Sequence, residues 1–170
     1  MRHQVFLGLG SNTNKQTNIP KCMQLLVDTF DQVDFSPVYE SQSVGIQSEN
    51  FYNLVARVAT TWSLEKLLTF IQVTESRYGR RRHPELSDTI PLDIDILLYD
   101  DFVGEFQQLV LPRPEILTNA FVLKPLAELA GDLVHPQCGR RICALWQEYP
   151  KAKQPLWQVS LSELKEACMR

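Results

Sequence analysis

Two aspartates inside one apolar stretch are the residues of this sequence best suited to chemistry. Asp93 and Asp95 alternate with Leu92, Ile94 and Ile96, and strand side chains alternate between two faces, so the two carboxylates lie side by side on one face. Neighbouring carboxylates repel each other unless a cation lies between them, and Mg²⁺ often binds one or two carboxylates together with phosphate oxygens. The pair therefore predicts a magnesium site that serves a phosphate-bearing ligand.

A basic cluster precedes this strand and consists of Arg77, Arg80, Arg81 and Arg82. Guanidinium groups bind phosphates through paired hydrogen bonds, so the arginines and the aspartates together favour a nucleotide–Mg²⁺ site. The alternative is a half-exposed strand with solvated acids, next to a helix end whose arginines interact favourably with the helix dipole. This segment alone does not separate the two interpretations.

The whole chain has the composition of one globular domain, residues 1–170. It is 44% hydrophobic and 22% charged with a net charge of −3, which is typical of a globular domain and predicts neither a nucleic-acid nor a membrane partner. No apolar run reaches the length of a membrane span, and the N-terminus lacks a signal-peptide pattern. The four cysteines lack zinc-ligand spacing. We therefore expect a cytoplasmic protein with reduced thiols.

Hydrophobic periodicity predicts the elements that must position the aspartates. In chain order these are a strand at 5–12, a helix at 19–30, a strand at 33–39, a strand at 51–61, a helix from Ser63 to Gly79 and a strand at 92–99. The β-α-β-β-α-β order is typical of a ferredoxin-like α+β fold, in which helices pack on one face of an antiparallel sheet. Extra elements follow at the C-terminus.

Several local features are also expected. Ser11 or Asn12 is expected to cap the first helix, and 102–111 to contribute a hairpin arm or short strand. A helix at 120–129 is expected to bend or break at Pro125. The residues expected to complete the core near the C-terminus are Trp146, Trp157 and Leu161.

Five short motifs occur together in the order and at the spacing of one family. They are Gly8-Leu9-Gly10-Ser11-Asn12, Phe51-Tyr52-Asn53, Glu75-x-x-x-Gly79-Arg80-x-Arg82, Leu92-Asp93-Ile94-Asp95-Ile96 and Phe121-Val122-Leu123-x-Pro125-Leu126. On these motifs the chain resembles the 6-hydroxymethyl-7,8-dihydropterin pyrophosphokinases of folate biosynthesis. The resemblance implies transfer of the β,γ-pyrophosphoryl group of ATP to the hydroxymethyl oxygen of the pterin, with AMP as the other product. It also implies ATP as co-substrate and two Mg²⁺ ions.

The resemblance further implies roles for individual residues. Asp93 and Asp95 would hold the metal ions and, with Arg80 and Arg82, act in catalysis. The residues that would contact or position ATP are Gln72, Glu75, Arg80, Arg82, Ile96 and Arg113. Those that would bind the pterin are Val44, Gly45, Phe51, Asn53 and Phe121, with the two rings stacked on the pterin and Asn53 bonded to its edge.

The chain departs from the usual family pattern around the phosphates. Asp88-Thr89-Ile90 stands where the family usually has Gly-Pro-Arg, and Asn119 replaces a second arginine. Arg113 replaces a histidine, Ser87 an aromatic residue and Ser41-Gln42 a Thr-Pro pair. Each lost charge-assisted contact would cost about 1.5–3 kcal/mol of transition-state stabilisation, unless Arg113 or Arg81 replaces it.

These departures leave alternatives beside an active pyrophosphokinase. One is a divergent paralogue with weak or no activity that binds nucleotide or pterin. Another is the same chemistry on a different acceptor alcohol, suggested by Ser41-Gln42. The third is a structural α+β domain without a small-molecule site.

Overall fold

The computed structural model describes residues 1–42, 49–79 and 89–160. Its elements in chain order are β1 (His3–Ser11), α1 (Lys15–Thr29), β2 (Gln32–Phe35), β3 (Tyr39–Ser41), β4 (Phe51–Thr60), α2 (Leu64–Arg77), β5 (Asp93–Tyr99), β6 (Gly104–Phe106), β7 (Leu109–Leu111), α3 (Glu115–Thr118), α4 (Ala120–Ala130), α5 (Ile142–Glu148), a 3₁₀ turn (Lys151–Lys153) and β8 (Leu156–Gln158).

The main sheet has the strand order β5-β1-β4-β3-β8, and β2 pairs with β4 beside β3. All of these pairings are antiparallel. The strand expected at 33–39 is divided into β2 and β3. Between them Ser36 donates its backbone N–H to the Val55 oxygen and accepts the Val55 N–H at its hydroxyl, each at 2.9 Å. Because β2 and β3 continue the same side of β4, the ferredoxin-like topology is confirmed.

Helices cover both faces of this sheet, whereas the sequence predicted helices on one face. On one face α1 and α2 pack on residues such as Leu7, Leu54 and Ile96. On the other, α3, α4 and α5 pack on Phe6, Val55, Leu97 and Leu98. Central strands that are apolar on both faces must be covered on both, and the C-terminal helices provide the second layer.

The helix ends confirm some local expectations and contradict others. Ser63 caps α2 through a 3.2 Å bond from the Lys66 N–H, and Gly79 follows that helix with a φ of 88°. The expected cap of α1 by Ser11 or Asn12 is wrong, because Asn14 occupies the N-cap and makes no side-chain cap bond. The Asn12 side chain instead accepts the Ile90 N–H at 2.6 Å.

The C-terminal part of the chain also differs from expectation in places. α4 runs unbroken through Pro125, and β6 pairs with β7 as a hairpin. Trp146 packs against the core, but Trp157 is 47% exposed, so its predicted core role is wrong; Leu161 lies outside the described residues. Of the described cysteines, Cys22, Cys138 and Cys143 are free thiols. No helix in the described ranges is long and apolar enough to cross a membrane.

Candidate active site

The two aspartates lie on the face of β5 that α4 covers. Ile94 and Ile96 are 3% and 1% exposed in the core beneath α1 and α2, so Asp93 and Asp95 must point the other way. The alternation predicted from sequence is confirmed. The apolar residues anchor the strand while its acidic residues face α4.

Glycines stand opposite both aspartates on β1. Gly10 pairs with Asp93 and Gly8 with Asp95. Because glycine has no side chain, the space beside the two carboxylates stays open. A cavity of about 40 Å³ occupies it, lined by Gly8, Leu9, Gly10, Asn53, Leu54, Val55, Asp93, Asp95, Leu97, Phe121 and Val122. We call this cavity the aspartate recess.

Asn53 forms the far wall of the aspartate recess. It pairs with Gly10 across β1 and β4, and it is only 9% exposed. Its Nδ2 donates to the Ser41 hydroxyl at 3.0 Å. Its Oδ1 lies 2.8 Å from the position that a Cβ on residue 10 would take, so any other residue there would displace the Asn53 amide. The sequence predicted Asn53 but not Ser41, since nothing in the sequence pairs these two side chains.

Asp95, which lines the aspartate recess, forms an ion pair with Arg113. Burial raises the pKa of Asp95 to about 7, the Asp93 carboxylate beside it raises it as well, and the Arg113 guanidinium opposes both effects. The Asp95 side chain is still 38% exposed, so the carboxyl opens toward solvent. Nε of Arg113 is buried without a hydrogen-bond partner but lies 4.0 Å from Glu115 Oε2, so two carboxylates balance the charge of this guanidinium.

The donor set of the aspartate recess fits a hard divalent cation that brings most of its own ligands. In the described ranges no group of three or more His, Cys, Asp or Glu residues could hold a metal ion, so the chain there offers no complete protein cage. Two neighbouring carboxylates repel each other, and the pKa of Asp95 is raised in part for that reason; a cation between them would remove this electrostatic cost. Mg²⁺ is commonly bound by one or two carboxylates plus water and substrate phosphates, and Asp93 and Asp95 match that pattern.

Glu75 contacts the strand that carries the aspartates. Its Oε2 accepts the backbone N–H of Ile94 at 2.9 Å, so α2 is bonded to β5 between the two acidic residues. Gln72, three residues earlier, is exposed. Ile96 is buried with its side chain in the core, so any contact with a ligand would come from its backbone at the open edge of β5. ATP binding by these three residues stays a prediction.

The expected pterin residues are only partly brought together. Asn53 and Phe121 line the aspartate recess, but Phe51 does not. Phe51 lies two positions before Asn53 in β4 and therefore on the same face of the sheet. The remaining predicted site residues, Val44, Gly45, Arg80 and Arg82, lie outside the described residues.

Two buried polar side chains hold the residues that precede β4 and β5. The sequence did not predict this role for either of them. Lys15 is 7% exposed, and its Nζ donates to the Asn50 oxygen at 2.8 Å and lies 3.8 Å from Glu40. Asn12 bonds Ile90 twice, because its backbone N–H also donates to the Ile90 oxygen at 3.0 Å. These contacts were missed because both residues lie in a polar run without periodicity.

The model of the family described as 7,8-dihydro-6-hydroxymethylpterin-pyrophosphokinase (HPPK) matches residues 6–131. The chain belongs to this family. Among curated HPPK relatives, a pyrophosphokinase of Aquifex aeolicus is 34% identical over 78% of this chain and 83% of its own. One from Haemophilus influenzae is 34% identical over 77% of this chain and 84% of its own.

Longer proteins contain the same HPPK region. The folic acid synthesis protein fol1 of Pneumocystis carinii is 30% identical over 85% of this chain, which spans only 20% of that protein's length. A crystal structure of the Plasmodium falciparum HPPK-DHPS protein with pteroate has a TM-score of 0.69 at 15% identity, over 88% of this chain and 42% of that one. At that identity the likeness shows the HPPK fold alone.

Proposed function

We propose that the protein is a 6-hydroxymethyl-7,8-dihydropterin pyrophosphokinase and that residues 1–170 form one domain with this activity. The pterin hydroxymethyl oxygen attacks the β-phosphorus of ATP, the bond from that phosphorus to the α-phosphate oxygen breaks, and AMP leaves. The products are AMP and the pterin diphosphate, and the hydroxymethyl proton is released. The observation that carries the proposal is the aspartate recess, where a carboxylate pair, an amide and an aromatic ring meet in a chain of the HPPK family.

Asp93 and Asp95 are the proposed ligands of the metal, for which two Mg²⁺ ions are expected. Bound there, Mg²⁺ supplies charge neutralisation and alignment for the phosphate oxygens. Asp93 and Asp95 hold negative charge at fixed positions on a paired strand. Glu75 holds the backbone between them and so limits movement of that strand.

Arg113 is proposed to act on the nucleotide. Its guanidinium is paired with Asp95 and lies beside Glu115, so a cation is held next to the proposed metal ligands, where phosphate oxygens would also lie. We propose that it turns from Asp95 to the phosphates when ATP binds. Arg80 and Arg82, with Gln72, Glu75 and the Ile96 backbone, complete the proposed nucleotide site.

The pterin is proposed to bind between Asn53 and Phe121. Asn53 has one amide donor bonded to Ser41 and a second that can reach a heterocycle edge, while the Phe121 ring offers a stacking face. Phe51, Val44 and Gly45 complete the proposed pterin site. The aspartate recess itself has a volume of only about 40 Å³. A pterin would therefore extend from it along β4, on the face of the sheet that carries Phe51 and Asn53.

The direct test is AMP formation from ATP, Mg²⁺ and 6-hydroxymethyl-7,8-dihydropterin in a coupled assay. Asp95→Asn should lower kcat/KM by about a thousandfold, since a metal contact contributes several kcal/mol to transition-state stabilisation. Its melting temperature should not fall, because the amide can still bond Arg113 and the repulsion with Asp93 disappears. Asp101→Asn, at an exposed turn position, is the matched control and should leave turnover unchanged.

Calorimetric titration with a non-hydrolysable ATP analogue and with the pterin separates the alternatives. Binding of both without turnover at high protein concentration would replace the proposal by a binding protein. Binding of nucleotide without pterin would point to another acceptor alcohol. Absence of both would leave a structural domain.

A further inference from the structure

The N-terminus of α4 lacks a cap of its own. Asn119 stands at the N-cap and makes no side-chain cap bond, and its Oδ1 instead accepts the Thr118 hydroxyl at 3.3 Å. The first N–H groups of a helix have no partner within the helix. This end of α4 carries Phe121, which lines the aspartate recess, so its position matters for the site.

A residue from the C-terminal segment supplies the missing partner. Gln154 lies between the 3₁₀ turn and β8, and its Oε1 accepts the Ala120 N–H at 2.7 Å. Ala120 is fully buried with Gln154 in place, so this acceptor covers the first turn of α4. Gln154 lies beyond residue 131, where the HPPK family match ends.

The same segment is bonded to β3, the strand whose Ser41 holds Asn53 in the wall of the aspartate recess. β8 pairs with β3, with Leu156 opposite Ser41, and the Val159 N–H donates to the Val38 oxygen at 2.9 Å. Ser41 is the residue that accepts the Asn53 amide. Residues 154–159 therefore connect the strand that orients Asn53 to the helix turn that carries Phe121.

A second contact keeps the rest of α4 against the same strand. The Tyr39 hydroxyl donates to the Glu128 carboxylate, and Lys124 Nζ lies 4.9 Å from the centre of the Tyr39 ring. The residue before the N-cap is held separately, because the Tyr149 hydroxyl donates to the Thr118 oxygen at 2.8 Å. Gln154 is the contact that holds the first turn of α4 itself, through the Ala120 N–H.

We propose that Gln154 is a positioning residue for the pterin. It fixes the first turn of α4 relative to β3 and so sets the distance between Phe121 and Asn53. The inference rests on the proposed function and deepens it by assigning a positioning role to a segment outside the family match. Gln154 does not touch the reacting atoms.

The test compares three full-length variants. Gln154→Met keeps the side-chain length and removes the acceptor, so the pterin dissociation constant, measured with an ATP analogue present, should rise about fivefold, the equivalent of one cap bond of about 1 kcal/mol. The KM for ATP should change by less than about twofold. Gln154→Glu keeps an acceptor that a helix N-terminus favours and should bind pterin like the wild type. Gln158→Met, at an exposed position of the same segment, is the matched control.

The outcomes separate this inference from the proposed function. If the wild type binds and turns over the pterin while Gln154→Met does so equally well, the inference is wrong and the proposed function stands. If Gln154→Met weakens the binding of ATP and of pterin equally, or lowers only the stability of the protein, Gln154 has only a structural role. If Gln154→Met does not fold, failure of Gln154→Glu to restore pterin binding overturns the inference. A wild type that neither binds nor converts pterin overturns both.

Discussion

Gly10 shows how one missing side chain shapes the aspartate recess. A Cβ at this position would meet Asn53 Oδ1 at 2.8 Å. Gly10→Ala should therefore displace Asn53, destabilise the protein by roughly 1–3 kcal/mol through overpacking and weaken pterin binding. Urea unfolding and pterin titration measure the two effects.

The partner residue provides the control for this substitution. Asn53→Ala removes the oxygen that the new methyl group meets, so adding Gly10→Ala to that variant should cost less than about 0.5 kcal/mol. If Gly10→Ala lowers the free energy of unfolding equally in the wild type and in Asn53→Ala, the clash with Asn53 does not cause the destabilisation.

Arg113 is expected to affect metal and nucleotide in opposite directions. In Arg113→Met the guanidinium no longer competes for Asp95, so Mg²⁺ alone should bind more tightly. The ATP analogue with Mg²⁺ should bind about tenfold or more weakly, because one charge-assisted phosphate contact is lost. Calorimetry with each ligand measures both changes.

A second arginine that forms an ion pair with a carboxylate provides the control for general effects of charge. Arg140 bonds Glu148 at 2.6 Å through an exposed contact, and Arg140→Met should leave both affinities unchanged. Weaker binding of Mg²⁺ alone to Arg113→Met would contradict the proposed competition.

The sequence predicted single residues of the site better than their contacts. The i and i+2 spacing of Asp93 and Asp95 was enough to place both carboxylates on one face, because strand geometry has a fixed period. Ser41 beside Asn53, and Arg113 beside Asp95, depend on strand register and on the return of the chain after β7. Neither is encoded in local periodicity.

At the scale of elements, Glu75 links α2 to the edge strand β5. β5 pairs with β1 on one side only, and edge strands expose unpaired N–H groups; Glu75 takes that of Ile94. Glu75→Leu should destabilise the protein by about 1–3 kcal/mol, because a part-buried N–H loses its acceptor, and should weaken Mg²⁺ binding. Urea unfolding and Mg²⁺ titration are the measurements.

Glu75→Gln separates a role in the strand from a role in nucleotide binding. The amide oxygen can still accept the Ile94 N–H, so stability and Mg²⁺ affinity should stay near wild type. A variant of normal stability that binds the ATP analogue weakly would instead show that the Glu75 carboxylate contacts the nucleotide directly.

Most helices and strands could be predicted from the sequence. The predictions failed where a contact with a residue distant in sequence determines where an element begins or ends. α1 begins at Lys15 although apolar spacing starts at Ile19, because the first turn is held by the Lys15 contacts with Asn50 and Glu40. The strand expected at 33–39 divides at Ser36 and Pro37, where the Ser36 bonds with Val55 replace regular pairing. Such contacts link residues far apart in sequence.

At the scale of the whole molecule, the main feature that the sequence did not predict is the layer of helices on the second face of the sheet. The β-α-β-β-α-β order specified the sheet, but the helices after β5 could have packed elsewhere. Their placement follows from Phe6, Val55, Leu97 and Leu98, which leave the second face of the sheet apolar. Trp157, expected in the core, lies on β8 at the sheet edge, where one side of the strand is exposed.

The turn that leads into α5 makes the stability of the whole molecule depend on pH. His135 is 1% exposed, and its Nδ1 accepts the N–H groups of Gln137 and Cys138 at 3.3 and 3.2 Å, which requires a neutral ring. Burial lowers the pKa of His135 below its ordinary value of 6.5. The unfolded chain therefore takes up a proton first as the pH falls, so stability is complete above about pH 6.5 and declines below it.

His135→Asn should remove this dependence, since an asparagine oxygen can accept the same turn N–H groups without titrating. Between about pH 7.5 and pH 5.5 the wild type should lose roughly 1 kcal/mol more unfolding free energy than the variant, within the limit of about 1.4 kcal/mol per pH unit for one proton. Urea unfolding at both pH values measures the difference, and the comparison cancels the contributions of all other groups. Equal losses in the two proteins would show that His135 is protonated without cost in the folded state.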